Sequence, residues 1–228
     1  MTSVAVVTGA ARNLGREIVL GLARQGLNVV VNTRTSGSEA LGVAKEAQRL
    51  GVRALPFEAD VTDEQAVAEM FSAAASLGAV RVLVNNAVLR KDASFDTMTL
   101  ADWRAVQAVT LDGAFICARA AVPLLREGGG GCIVNMLGGN ALAGDAQRAH
   151  LSAAKHGLVG LTLALASAYA WEGITVNAVS PVGMKTDSRE ALQERRKAVA
   201  DVVCFLASPQ ARAVTGQVVD VDCSQIVD

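Results

Sequence analysis

Thr8-Gly9-Ala10-Ala11-Arg12-Asn13-Leu14-Gly15 follows a short apolar run and opens an amphipathic stretch. A strand, a glycine turn and a helix start, in that order, aim backbone N–H groups and the positive end of a helix dipole at a pyrophosphate. Gly9 suits the tight turn, and Gly15 lets the helix pack close to the sheet. A second chemical signal stands at the end of the next apolar run, which reads Asn32-Thr33-Arg34. No acid is present there to take the ribose 2′-hydroxyl of NAD. Arg34 and Arg12 instead offer two guanidinium groups to the 2′-phosphate of NADP. The expectation is therefore NADP(H), with NAD(H) open as the alternative. The competing reading makes both arginines ordinary solvated surface charges.

Those residues need elements to position them. Short β-branched runs, Val4–Val7, Asn28–Val31, Val52–Phe57, Val80–Val84, Cys132–Asn135, Ile174–Val179 and Val218–Val221, alternate with longer amphipathic stretches. Their near-continuous apolar character suits parallel strands covered on both faces. Thr62-Asp63-Glu64-Gln65 and Thr99-Leu100-Ala101-Asp102 have capping-box character, and Gly26 and Gly51 fall where helices should end. The alternation predicts a doubly wound α/β sheet, as one domain over 1–228. Gly128 to Gly131 precede a strand instead of following one, so they read as a turn and not as a phosphate loop.

The chain has 228 residues, just over half of them apolar, 19% charged, with a formal net charge of −1. That is a globular composition, with no global field toward nucleic acid or anionic lipid. Cys117, Cys132, Cys204 and Cys223 form no CxxC pair and read as reduced, mostly buried thiols, with no metal site. No targeting segment is visible. The apolar stretch Gly157–Trp171 reads as a buried helix too short to span a bilayer. The expected setting is cytoplasmic, without a membrane or nucleic-acid partner.

These segments together resemble a short-chain dehydrogenase/reductase over the whole length. The family's TGxxxGxG segment matches Thr8 to Gly15, with Asn13 for the middle glycine; asparagine tolerates the left-handed backbone better than most residues. Its Asn-Asn-Ala-Gly matches Asn85-Asn86-Ala87-Val88, with Val88 for the glycine. Asp60-Val61 matches the adenine contact, and Ser180-Pro181, Thr186 and the tail Val214 to Asp222 match C-terminal landmarks. The resemblance implies a Rossmann-type fold with a seven-stranded parallel sheet. It implies a cofactor site of Gly9, Arg12, Asn13, Leu14, Gly15, Arg34, Asp60, Val61, Asn85, Ala87, Lys155, Pro181 and Thr186. It also implies association through two long helices, here Leu100–Arg126 and Ala149–Glu172, as a homodimer or homotetramer.

The family protonates the product alkoxide from a tyrosine, assisted by a lysine one helical turn later, a serine and an asparagine. Its YxxxK motif falls on Leu151-Ser152-Ala153-Ala154-Lys155. The lysine is kept, leucine replaces the tyrosine, Gly138 stands for the serine and Thr110 for the asparagine. Tyr169, the only tyrosine, lies 14 residues past Lys155, about 21 Å along a helix. His150 and His156 flank the motif, but each is rotated by about 100° from its neighbour on a helix. They read as structural or surface histidines; Ser152, Asp145 and Asp187 are weaker candidates still. Lys155 reads as a clamp on the nicotinamide ribose, against the plainer reading of an incidental surface lysine. Ser188–Arg196 reads as a short, charged lid that leaves the cleft open or completed by another chain.

Two readings follow. One is an atypical enzyme on a small metabolite, by non-standard redox or by elimination, isomerisation or cyclisation. The other is a catalytically inactive subunit that pairs with an active homologue or senses NADP(H). An ordinary reductase with an unrecognised catalytic set is the least favoured.

Overall fold

Successive strand residues point to opposite faces, and in this chain both faces are apolar. In β1 (Ser3–Val7), Val4 and Val6 join one core while Ala5 and Val7 join the other. The computed structural model describes residues 2–226. Seven strands run parallel in the order β3-β2-β1-β4-β5-β6-β7. They are β1, β2 (Asn28–Thr33), β3 (Ala54–Glu58), β4 (Ala79–Asn85), β5 (Gly131–Met136), β6 (Ile174–Val182) and β7 (Val218–Asp222). The expected Rossmann-type sheet is present, with strand ends moved by up to a few residues; β3 starts at Ala54 and not at Val52.

On one face, α1 (Asn13–Arg24), α2 (Gly37–Arg49) and α8 (Arg189–Leu206) cover the sheet through Ile18, Leu22, Val43, Val199 and Val203. On the other, α3 (Glu64–Ser76), α5 (Gly113–Glu127) and α7 (Ala149–Tyr169) contribute Met70, Phe71, Cys117, Ala121 and Ala166. The chain order reverses between β1 and β4, which leaves a crevice outside the carboxyl ends of those two strands.

Several local expectations are refined. The Thr99 capping box on α4 (Leu100–Gln107) is formed in full with Asp102. The cap of α3 is Asp63 and not Thr62: its Oδ1 accepts from Gln65 N and Ala66 N, while Thr62 turns to Asp60. Gly26 and Gly51 follow α1 and α2 with positive φ, where only glycine is unstrained. Gly128–Gly131 make the turn between α5 and β5. Ser188–Arg196, expected as a short charged cover, is helical: Ser188 caps α8, and Arg189 onward is helix.

The helix expected from Leu100 to Arg126 is interrupted by a π turn at Ala108–Asp112. With α4 and α5 it forms one stretch, Leu100–Glu127, long and apolar enough to cross a membrane, as is Ala149–Glu172. This corrects the expectation that no stretch reaches that length. Both pack on the sheet, α5 on β4 and α7 on β6, as core helices of an α/β domain do. All four cysteines are free and buried, as expected. Burial raises the thiols of Cys117, Cys132 and Cys204 to about 12.

Candidate active site

The crevice holds a cleft of about 620 Å³ lined by Gly9, Arg12, Asn13, Leu14, Gly15, Arg34, Asp60, Val61 and Ala87, all expected there from sequence. Gly9 has φ +60°, and Asn13, at φ +52°, is the only non-glycine with positive φ among the described residues. A Cβ on Gly15 would lie 2.6 Å from the Gly9 carbonyl oxygen and 2.7 Å from Asn86 Nδ2. Close packing of α1 on the loop therefore requires glycine there. No side chain caps α1, and its first turn carries no acid. Its leading N–H groups are left for an anion in the cleft.

Three side chains brace this cradle, and sequence reasoning had given none of them a role. Thr8 Oγ1 accepts from Asn86 N and Ala87 N, both at 3.0 Å. Asn86 Nδ2 donates to the Thr8 and Gly9 carbonyls at 2.9 and 3.0 Å. The buried Asn32 accepts from Gly9 N through Oδ1 and donates to the Ala59 carbonyl at 3.0 Å. The legible signal was a polar residue, Asn32, directly after the apolar run Val29–Val31 of β2. Asn32 thus ties together the ends of three strands at the mouth of the loop.

Arg12 and Arg34 both line the cleft, but they differ. Arg12 lies 3.8 Å from Glu39 on α2, whereas Arg34 makes no ion pair among the described residues. One Asp60 oxygen is engaged by Thr62 N and Oγ1. Val61 is buried against Gly113.

Asn85, Lys155, Pro181 and Thr186, expected around the cofactor, do not line this cleft. Asn85 is the last residue of β4, so its side chain alternates away from that of Asn86. It donates to Asn135 Oδ1 at 2.9 Å, and Asn135 donates to Thr162 on α7 at 2.9 Å. Pro181 lies near the end of β6, and Thr186 accepts from Ser188 N.

Lys155 and Leu151 share one face of α7, and each is 5% exposed. Lys155 Nζ donates to the Met136 carbonyl at the end of β5. Burial first, and the Arg90 charge second, lower its pKa to about 7. Leu151 packs in an apolar cluster with Val106, Ala141, Val88 and Leu89. Gly138 follows β5 in an extended conformation, and a Cβ there would meet nothing within 4 Å. Thr110 sits inside the π turn, and its buried hydroxyl has no hydrogen-bond partner among the described residues. An extra residue in a helical turn often marks a functional position.

The flanking histidines have structural surroundings. His150 is fully buried and accepts from Leu151 N at 2.9 Å, while His156 is exposed against the Ser152 carbonyl. Tyr169 ends α7 beneath the Arg126 guanidinium, 5.2 Å from its ring centre. Among the described residues, no three His, Cys, Asp or Glu side chains gather as a metal site.

A glycine cradle, an uncapped helix start and a polar brace at the β1/β4 crevice define a dinucleotide-binding α/β protein. The short chain dehydrogenase family matches residues 3–197, and the chain belongs to that family, whose members use a nicotinamide dinucleotide. It is 35% identical over 239 aligned residues to the 3-oxoacyl-(acyl-carrier-protein) reductase FabG of Staphylococcus aureus, covering 97% of each. It is 35% identical to nodulation protein G of Azospirillum brasilense over 96% of each. The crystal structure of acetoin dehydrogenase from Enterobacter cloacae superposes with a TM-score of 0.90 at 31% identity, over 100% of this chain and 97% of that one.

Proposed function

We propose that this chain is an atypical, cytoplasmic member of its family that binds NADP(H) and acts on a small metabolite without the family's Ser-Tyr-Lys proton relay. The reading takes 1–228 as one domain in a homodimer or homotetramer. Gly9, Arg12, Asn13, Leu14, Gly15 and Ala87 would hold the cofactor's diphosphate, Arg34 its 2′-phosphate, and Asp60 and Val61 its adenine end. A bound nicotinamide supplies or accepts a hydride. The protein must then place a carbonyl and handle one proton.

The observation that carries the reading is the surroundings of Leu151. Where a phenol would stand one turn before Lys155, the chain has an apolar side chain packed on Val88 and Leu89. No hydroxyl is available from Gly138 either, and Lys155 is the one group left from the catalytic set. Losing a general acid costs about 10²–10⁴-fold in rate, so the chemistry is slow reduction with a proton from elsewhere, or a non-redox reaction. The relatives' reductase and dehydrogenase names set the rival outcome, an ordinary carbonyl reductase.

The test is fluorescence titration with NADPH, followed by a carbonyl panel. Binding at micromolar NADPH with no turnover at ordinary enzymatic rates is the expected pair of results. Absence of binding at about 1 mM cofactor overturns the cofactor reading, and ordinary turnover overturns the catalytic one.

The second reading, a non-catalytic subunit paired with an active homologue, would use the same association helices as the homo-oligomer. Phe115 on α5 and Leu163 on α7 are about half exposed on the helices through which such proteins would associate. Co-purification with an intact homologue supports that reading; a homogeneous homo-oligomer with turnover refutes it.

A further inference from the structure

The loop after β4 carries a charge that the cofactor reading leaves unused. Arg90 lines the same cleft as the glycine loop, two residues beyond Val88, and makes no hydrogen bond or ion pair among the described residues. Leu89, directly before it, packs against the Leu151 cluster. This brings Arg90 to the ground where the family's proton donor would act. Its charge reaches Lys155, one turn along α7 from Leu151.

The local balance of charge is uneven. Among the described residues, Arg148 engages Asp92 and Asp145, and Lys91, next to Arg90, pairs with Asp102, so these three carboxylates are taken up by other cations. Among the described residues, Lys155 has the Met136 carbonyl as its acceptor. Arg90 is exposed to the cleft, and its pKa is lowered by partial desolvation first and by the Arg148 charge second. An exposed guanidinium at the cleft wall, with no carboxylate partner among the described residues, is free to take an anion that enters the cleft. The dinucleotide's own phosphates have their site elsewhere, on the loop from Gly9 to Gly15 at the start of α1.

We infer that Arg90 is a substrate-binding residue that takes a carboxylate in this cleft, next to the ground held by Leu89 and Leu151, and that the substrate is a small oxo acid and not a neutral carbonyl compound. The planar guanidinium offers two parallel N–H donors to that group. The inference deepens the proposed function and rests on its placement of the substrate in this cleft.

The experiment is isothermal titration of the whole chain, with and without NADPH, using acetoacetate and its neutral methyl ester as probes. Wild type is expected to bind acetoacetate about tenfold or more tightly than the ester. Arg90→Met should abolish that preference while leaving ester affinity, NADPH affinity and melting temperature unchanged. Arg90→Lys should recover part of it, because the charge returns without the fork. Equal affinity for the two probes in wild type overturns the inference, as does a preference that survives Arg90→Met. Loss of NADPH affinity in Arg90→Met equal to the loss of acetoacetate affinity also overturns it and assigns Arg90 to the cofactor's phosphates. If wild type prefers acetoacetate but binds no NADPH, the carboxylate site stands and the cofactor reading fails.

Discussion

The Lys155 ammonium donates to the Met136 carbonyl oxygen at 2.5 Å, joining the second turn of α7 to the last residue of β5. A buried lysine held by a neutral carbonyl, with no carboxylate partner among the described residues, is an unusual companion for an apolar Leu151.

That environment predicts a pH signature. The pKa of Lys155 falls from 10.5 to about 7 on folding. Between those values the unfolded chain carries a proton that the folded chain has lost. The lysine's cost to stability is therefore complete below pH ~7 and is relieved as pH rises toward ~10.5. Melting-temperature differences, Lys155→Met minus wild type, should shrink steadily across that window. A difference that is flat with pH would show that Lys155 is not titrating there.

Gly138 and Leu151 should respond differently to restoration. Gly138→Ser fits open space in an extended backbone, so stability should stay within about 0.5 kcal/mol. Leu151→Tyr enlarges a side chain among Val88, Val106 and Ala141 and should cost about 1–3 kcal/mol. The double variant should reduce carbonyls about 10²-fold or more faster than wild type. NADPH oxidation and thermal melts measure both effects.

Arg34 should matter more than Arg12 for choice of cofactor. Arg12 shares its charge with Glu39, whereas Arg34 faces the cleft without an ion-pair partner among the described residues. Arg34→Ala is expected to weaken NADPH about tenfold or more and leave NADH nearly unchanged. Glu39→Gln should tighten NADPH modestly. Fluorescence titrations with both nucleotides decide this, and equal loss for both would remove Arg34 from the 2′-phosphate.

Arg195 is buried and satisfies three carbonyls of the chain's end and the post-β6 loop. Its guanidinium donates to Ile226 O at 2.7 and 3.1 Å, Gly183 O at 2.8 Å and Lys185 O at 2.6 Å. Arg195→Met leaves those carbonyls without their donor and should cost about 1–3 kcal/mol. Amide exchange at Gly183 and Lys185 should accelerate while β1 and β4 amides stay protected. Unchanged exchange there would show that the loop is held by other contacts.

Asn13 tests how the altered glycine loop is held together. At φ +52°, Asn13→Gly should be neutral, and Asn13→Val should cost about 1–2 kcal/mol and weaken NADPH.

The sequence by itself determined the alternating strands and helices, the glycine loop with its tolerant Asn13, and the lack of hydroxyl side chains at Gly138 and Leu151. Those features depend on residue type and short spacing, so they can be read without contacts. Only the tertiary structure decided the rest. It separated Asn85 from Asn86, because adjacent strand residues face opposite ways. It made Asn32 a brace, turned Ser188–Arg196 into helix α8, and put a π turn around Thr110. It also buried Lys155 against Met136 and set Arg90 near it. Burial, charge balance and hydrogen-bond partners come from segments far apart in the chain, and only the packed sheet and helices bring them together.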